Sequence, residues 1–212
     1  MTPKEMRNRL LAGKLAANLR QRHFNAFYCA TAKEAVEKIS GMIPDGSSVT
    51  WGGSMTIRDM GLTKALHERN LTVWDRDEAP TREAAQEIYR RAFSADYYLS
   101  GVNAISESGV VVNIDGNGNR VAAITFGPKH VILVASLNKV AQTVEAAVER
   151  ARSVAAPINM MRFADLHTPC KADGICHDCK SPDSICNYIH LMRNSHPAGR
   201  HTVVLVGEEL GY

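Results

Sequence analysis

Four of the chain's five cysteines, Cys170, Cys176, Cys179 and Cys186, fall in one short segment with the spacing C-x5-C-x2-C-x6-C. A C-x2-C pair lets two sulfurs reach one centre from a single tight turn, and two more thiolates complete a tetrahedral set or the corners of a [4Fe–4S] cube. Structural zinc sites usually offer two C-x2-C knuckles, whereas this segment has one knuckle between two wider gaps. An iron–sulfur cluster is therefore the first expectation and structural zinc the second, with a redox disulfide or free buried thiols behind them. Gly174 and Lys180 sit where such turns need conformational freedom and positive charge. Ser181-Pro182-Asp183 predicts a helix start that would place Cys186 in its early turns, where free N–H groups favour a thiolate. His177 is read as solvated and left out of the ligand set, and Cys29 stands apart.

Two further stretches carry polar residues that suit a ligand. Ser100 to Arg120 interrupts apolar runs with Asn103, Glu107, Asn113, Asp115 and Asn117, a pattern expected at strand ends, where α/β sheets bind ligands. Glu107 lies between two apolar runs and before a glycine, so it is the carboxylate expected to act as base or nucleophile, against the alternative of a solvated turn residue. In Trp51-Gly52-Gly53-Ser54-Met55-Thr56, the glycines would let backbone N–H groups approach a small anion, and Ser54 and Thr56 add hydroxyls near a helix N-terminus. The stretch is neither a Walker motif nor a dinucleotide fingerprint, and a plain strand-to-helix turn with a hydroxyl cap fits it equally.

These residues need elements to hold them. Thr2-Pro3-Lys4-Glu5 is a capping box that opens a helix to about residue 22, and Thr31-Ala32-Lys33-Glu34 opens another that Pro44-Asp45-Gly46 stops. Strands at 48–51 and 71–74 alternate with helices at 56–69 and 81–93, the rhythm of βαβ units and a parallel sheet covered by helices. From 96 to 136 four apolar runs follow, at 97–104, 110–114, 121–126 and 131–135. Asp115-Gly116-Asn117-Gly118-Asn119 is read as a hairpin connection between the second and third. A helix over 139–155, which Pro157 bends or ends, and a last strand at 201–206 complete the chain. The expectation is one α/β domain over 1–212, with 168–187 as a Cys-rich segment within it.

Composition narrows the function. With 212 residues, 45% of them hydrophobic, the chain buries a core without covalent staples. A net charge of +3 with intermingled signs and 6% aromatics lacks the footprint of a nucleic-acid binder. No apolar run has the length of a secretion signal or a membrane span, so a cytoplasmic location is expected, where stable disulfides are rare.

Taken together, WGGSMT (51–56), SGVNAISESGVVVNIDGNGNRVAAITFGPKHVILV (100–134), Asn138-Lys139 with APIN (156–159), the four-cysteine segment and VLVGEELGY (204–212) resemble the LUD (lactate-utilisation) domain family, specifically short stand-alone members similar to lactate utilisation protein C. The resemblance implies a fold similar to the ribose-phosphate isomerase and CoA-transferase group, with a mixed central sheet. It implies a role around oxidation of L-lactate or a related small organic acid, alongside iron–sulfur partner proteins. CoA-transferases carry a glutamate nucleophile in Ser-Glu-Asn-Gly, to which Ser106-Glu107-Ser108-Gly109 is similar. Three functions follow as expectations: an electron-transfer accessory carrying the cluster, an enzyme acting on a small carboxylate, CoA thioester or sugar phosphate, and a scaffold pinned by zinc.

Overall fold

The computed structural model describes residues 1–212. The chain opens with α1 (Pro3–Gln21), where Thr2 and Glu5 form the reciprocal cap, then β1 (Asn25–Cys29), α2 (Ala32–Ser40) and β2 (Ser48–Trp51). The single helix expected at 56–69 is two, α3 (Met55–Asp59) and α4 (Leu62–His67), because Gly61 turns the backbone to φ 79° between them. Next come β3 (Thr72–Trp74), α5 (Arg82–Arg91), β4 (Tyr97–Gly101), β5 (Ala104–Ser106) and β6 (Val111–Asp115). The rest is α6 (Asn119–Thr125), β7 (His130–Ser136), β8 (Val140–Ala141), α7 (Val144–Arg150), α8 (Ala156–Met160), α9 (Pro169–Asp173), β9 (Tyr188–Met192) and β10 (His201–Val206).

Six strands form a wholly parallel sheet in the order β1-β10-β7-β4-β2-β3. The antiparallel pairs that would make it mixed are collected instead in a second sheet, β8-β5-β6-β9. Side chains alternate across a strand, so Val131, Leu133, Val203 and Leu205 face α1 and the second sheet, while Ile132, Val134, Val204 and Val206 face Ile39, Ile57, Leu62 and Leu66 of α2 to α4. Burial on both faces explains the unbroken apolar runs of β7 and β10.

Three further expectations change. The run 121–126 is not a strand: Asp115 Oδ2 accepts from the N–H groups of Arg120 and Val121 at 3.0 and 3.1 Å and caps α6, so the Gly/Asn stretch leads into a helix and β6 pairs with β5 and β9 instead. The helix expected at 139–155 begins only at Val144, capped by Thr143, because Val140–Ala141 is drawn into the second sheet. It also runs past Pro157 to Met160 through a π-helical turn, Ala151–Ala155, whose wider ring of hydrogen bonds accommodates the proline at the next helical start. Finally, no helix starts at Ser181. Its hydroxyl accepts from Asp183 N at 3.2 Å and donates to the His167 carbonyl at 3.1 Å, forming a turn, and the helix of this segment is α9, which carries Cys170.

Candidate functional site

The Cys-rich segment is held by bonds within itself and to the loop that leads into it. Lys171 Nζ donates to the carbonyls of Phe163, Ala164 and Leu166 at 2.5, 2.7 and 3.0 Å, which gathers the incoming loop beneath α9. Gly174, at φ 80°, ends α9 by returning its N–H to the Cys170 carbonyl at 2.8 Å. Asp178, at φ 49°, makes the sharp bend between Cys176 and Cys179. Asp183 accepts from His167 N at 2.8 Å, and Cys186 N donates to the Ser184 hydroxyl at 3.3 Å.

These constraints bring Cys170, Cys176, Cys179 and Cys186 to one cavity of about 390 Å³, whose far wall is Ala156, Pro157 and Met160 of α8 with Ile189 of β9. All four are free thiols and partly exposed. No three of their sulfurs approach within 4.8 Å of one another; the one triad of potential ligand atoms that does is His67, Asp75 and Glu78, at the surface. Cys29 lies apart in the core, where burial pushes its thiol up. His177 points to Asp173 at 2.7 Å instead of joining the sulfurs.

The glycine turn after β2 is engaged by protein groups. Gly52 N donates to Leu99 O at 3.1 Å and Ser54 N to Gly52 O at 2.8 Å. The Ser54 hydroxyl caps α3 and accepts from Gly101 N at 3.0 Å. A Cβ on Gly52 would meet the Tyr98 hydroxyl at 2.9 Å and the Arg120 chain at 3.1 Å, and one on Gly53 would overlap Arg76. The glycines thus give arginines their approach. Thr56 is buried and accepts from the amine of Lys139 at 2.7 Å.

Asn103, just beyond β4, is bound by residues outside the predicted set. Its Oδ1 accepts from Ile114 N at 2.9 Å and from Arg120 at 2.8 Å, and its carbonyl accepts from Arg150 at 2.6 Å. Asn113 is fully buried with neither side-chain polar atom bonded, while Asn117 is exposed. Glu107 stands at the other end of β5 in the turn to β6, its N–H bonded to Ala141 O at 2.8 Å and its carbonyl accepting from Asn18 at 2.7 Å. Ser106 organises that turn by accepting from Val110 N at 3.0 Å. No hydrogen bond links Glu107 to the glycine turn.

The LUD domain model matches residues 12–206 of this sequence. The chain belongs to the LUD-domain family. A DUF162 family protein from Deinococcus radiodurans shares its fold, with a TM-score of 0.56 at 14% identity over 95% of this chain and 98% of that one. Smaller overlaps are found with eIF2B beta from Chaetomium thermophilum (15% identity, 54% and 44% of the two chains, TM-score 0.41) and ribose 5-phosphate isomerase from Plasmodium falciparum (12%, 52% and 52%, TM-score 0.33). A comparison with curated proteins finds no match.

In this LUD-domain protein the group that sequence reading missed is Lys139. Only 2% of it is exposed, and its amine has a hydroxyl and a carbonyl as partners, Thr56 Oγ1 and Val102 O. Burial, with the charges of Arg150 and Arg120, pulls its pKa down to about 7. The signal was a lysine shortly after the buried run of β7; its partners, Thr56 of α3 and Val102 just beyond β4, are not local.

Proposed function

We propose that this LUD-domain protein carries a [4Fe–4S] cluster on Cys170, Cys176, Cys179 and Cys186 and acts as an electron-transfer component in the oxidation of lactate or a related small organic acid, in the cytoplasm with iron–sulfur partner proteins. The observation that carries this reading is the convergence of all four thiols on one cavity. Their C-x5-C-x2-C-x6-C spacing, with one knuckle where structural zinc sites usually offer two, supports a cluster over a single ion.

Bound there, a cluster would supply one-electron storage. The chain's own residues define its setting. Pro157, Met160 and Ile189 form an apolar wall that limits water, and Arg152 and Lys180 bring positive charge to the rim of an anionic site, Arg152 being ion-paired with Asp178. Partial exposure of the thiols leaves a side open to an electron partner.

Oxygen-free purification tests this reading. Iron and sulfide in near-equal amounts, a brown colour and loss of visible absorbance on reduction are expected, and Cys179→Ser should remove the colour and most of the iron while Cys29→Ser keeps both. One zinc per chain with no iron would replace the cluster reading with the structural zinc scaffold.

A further inference from the structure

We propose that the end of β4 forms a second site, which binds a small organic or inorganic oxyanion between Arg120, Arg150 and Lys139. The inference is independent of what the cysteines hold. Three basic side chains converge on the two residues Val102 and Asn103. Lys139 Nζ donates to Val102 O at 3.2 Å, Arg150 Nη1 to Asn103 O at 2.6 Å, and Arg120 Nη2 to Asn103 Oδ1 at 2.8 Å. Their remaining partners are also neutral: Thr56 Oγ1 for Lys139, Asn138 O for Arg150 and Ile114 O for Arg120. Hydrogen bonds to carbonyls fix these groups but do not neutralise them.

The carboxylates within reach do not make up the difference. Asp115 stands 3.8 Å from Arg120 Nε, and its oxygen already takes the two N–H groups that start α6. Asp59 acts on Lys139 only through space, from an exposed position. Arg150 has no carboxylate partner at all among the ion pairs of the chain. Clustered, partly buried cations without counter-charge are unfavourable unless an anion joins them.

A second observation points the same way. Asn113, one step along the antiparallel register from the Ala104–Val112 pair and so opposite Asn103, is completely buried, and both its Oδ1 and Nδ2 lack partners. An unsatisfied buried amide costs about 1–3 kcal/mol, and its place opposite Asn103 in the register puts this uncompensated polar group beside the residue that Arg120 and Arg150 bind. The site also lies outside the carboxyl ends of neighbouring strands β2, β4 and β7 of the parallel sheet, the edge where open α/β sheets hold ligands. Planar guanidinium forks recognise carboxylate and phosphate alike, so the shared chemistry is an oxyanion carried on a small molecule.

Titration calorimetry with inorganic phosphate in one arm and pyruvate in the other tests the site and distinguishes its two sources. One anion per chain is expected in at least one arm, with binding weakened roughly tenfold or more by Arg150→Gln and by Lys139→Met, and less by Arg150→Lys. Far-UV circular dichroism accompanies each variant, and if Lys139→Met fails to fold, Arg150→Gln decides alone. Cys179→Ser should bind the anion as the parent does, so failure of the cluster reading leaves this result untouched. No binding of either probe up to about 10 mM, or binding that Arg150→Gln leaves unchanged, overturns the proposal.

Discussion

The amine of Lys139 donates to the hydroxyl of Thr56 at 2.7 Å across 83 residues of sequence, in a place where Lys139 has no hydrogen-bonded carboxylate. The folded chain holds this lysine near pKa 7, against an ordinary 10.5 when unfolded. Between those values the unfolded chain binds a proton that the folded chain has released. Stability should therefore rise with pH from about 7 to 10, and the burial cost is fully present below 7. The whole effect is on the order of 5 kcal/mol. Urea denaturation of the parent and of Lys139→Met across this range is the check: other groups titrate in both, so the parent alone should show the extra slope. Equal slopes would remove the case for a displaced lysine proton.

A second proton works at lower pH. His201 is buried, with Nδ1 2.9 Å from the Ser195 hydroxyl and Nε2 2.9 Å from the Ile124 carbonyl. Burial pulls its pKa to about 4, against 6.5 in the unfolded chain. Stability should fall as pH drops from 6.5 to 4, because only the unfolded chain takes up the proton readily. His201→Gln should be less stable than the parent at pH 7 but lose less between pH 7 and 4. A parallel decline of the two in thermal melts would place the acid sensitivity elsewhere.

Gly101 ends β4 with no room for a side chain. A Cβ there would lie 2.5 Å from the Ser54 hydroxyl oxygen and 3.1 Å from that of Thr56, both buried. Gly101→Ala should cost about 1–3 kcal/mol by overpacking and weaken phosphate or pyruvate binding, since Thr56 also positions Lys139. A denaturation midpoint within error of the parent would show that the turn yields freely.

Lys171 ties three carbonyls ahead of the cysteines. Lys171→Met keeps every thiol but frees that loop, so limited proteolysis should cut between residues 161 and 180 several times faster, with the main thermal transition unmoved. Unchanged cleavage would mean that the loop is held by other contacts.

Much of this fold can be read from the chain because its strands are buried on both faces. The runs that became β7 and β10 are apolar at successive positions, and their lengths suit strands alone. The run at 121–126 is just as apolar but helical, since the deciding contact is the Asp115 carboxylate capping two N–H groups, which a periodicity does not register. β9 was hidden because Tyr188, Ile189 and Leu191 lie exposed on an edge strand beside the cysteines and show no clean alternation. That the four cysteines belong together was legible from spacing, and all four line one cavity. Lys139 was not, because its environment is assembled from Thr56, Val102, Arg120 and Arg150, residues that meet only in three dimensions.

β10 lies between β1 and β7, and Asn25 near the start of the chain pairs with Thr202 near its end. During synthesis β1 emerges first and waits with no strand neighbour until almost everything else, the cysteine segment included, has followed. The main sheet then closes by inserting its last-made strand into an open slot. Such long-range closure is slow, and an interrupted chain presents a hydrophobic gap flanked by two unpaired edges, the form most prone to associate with its own kind.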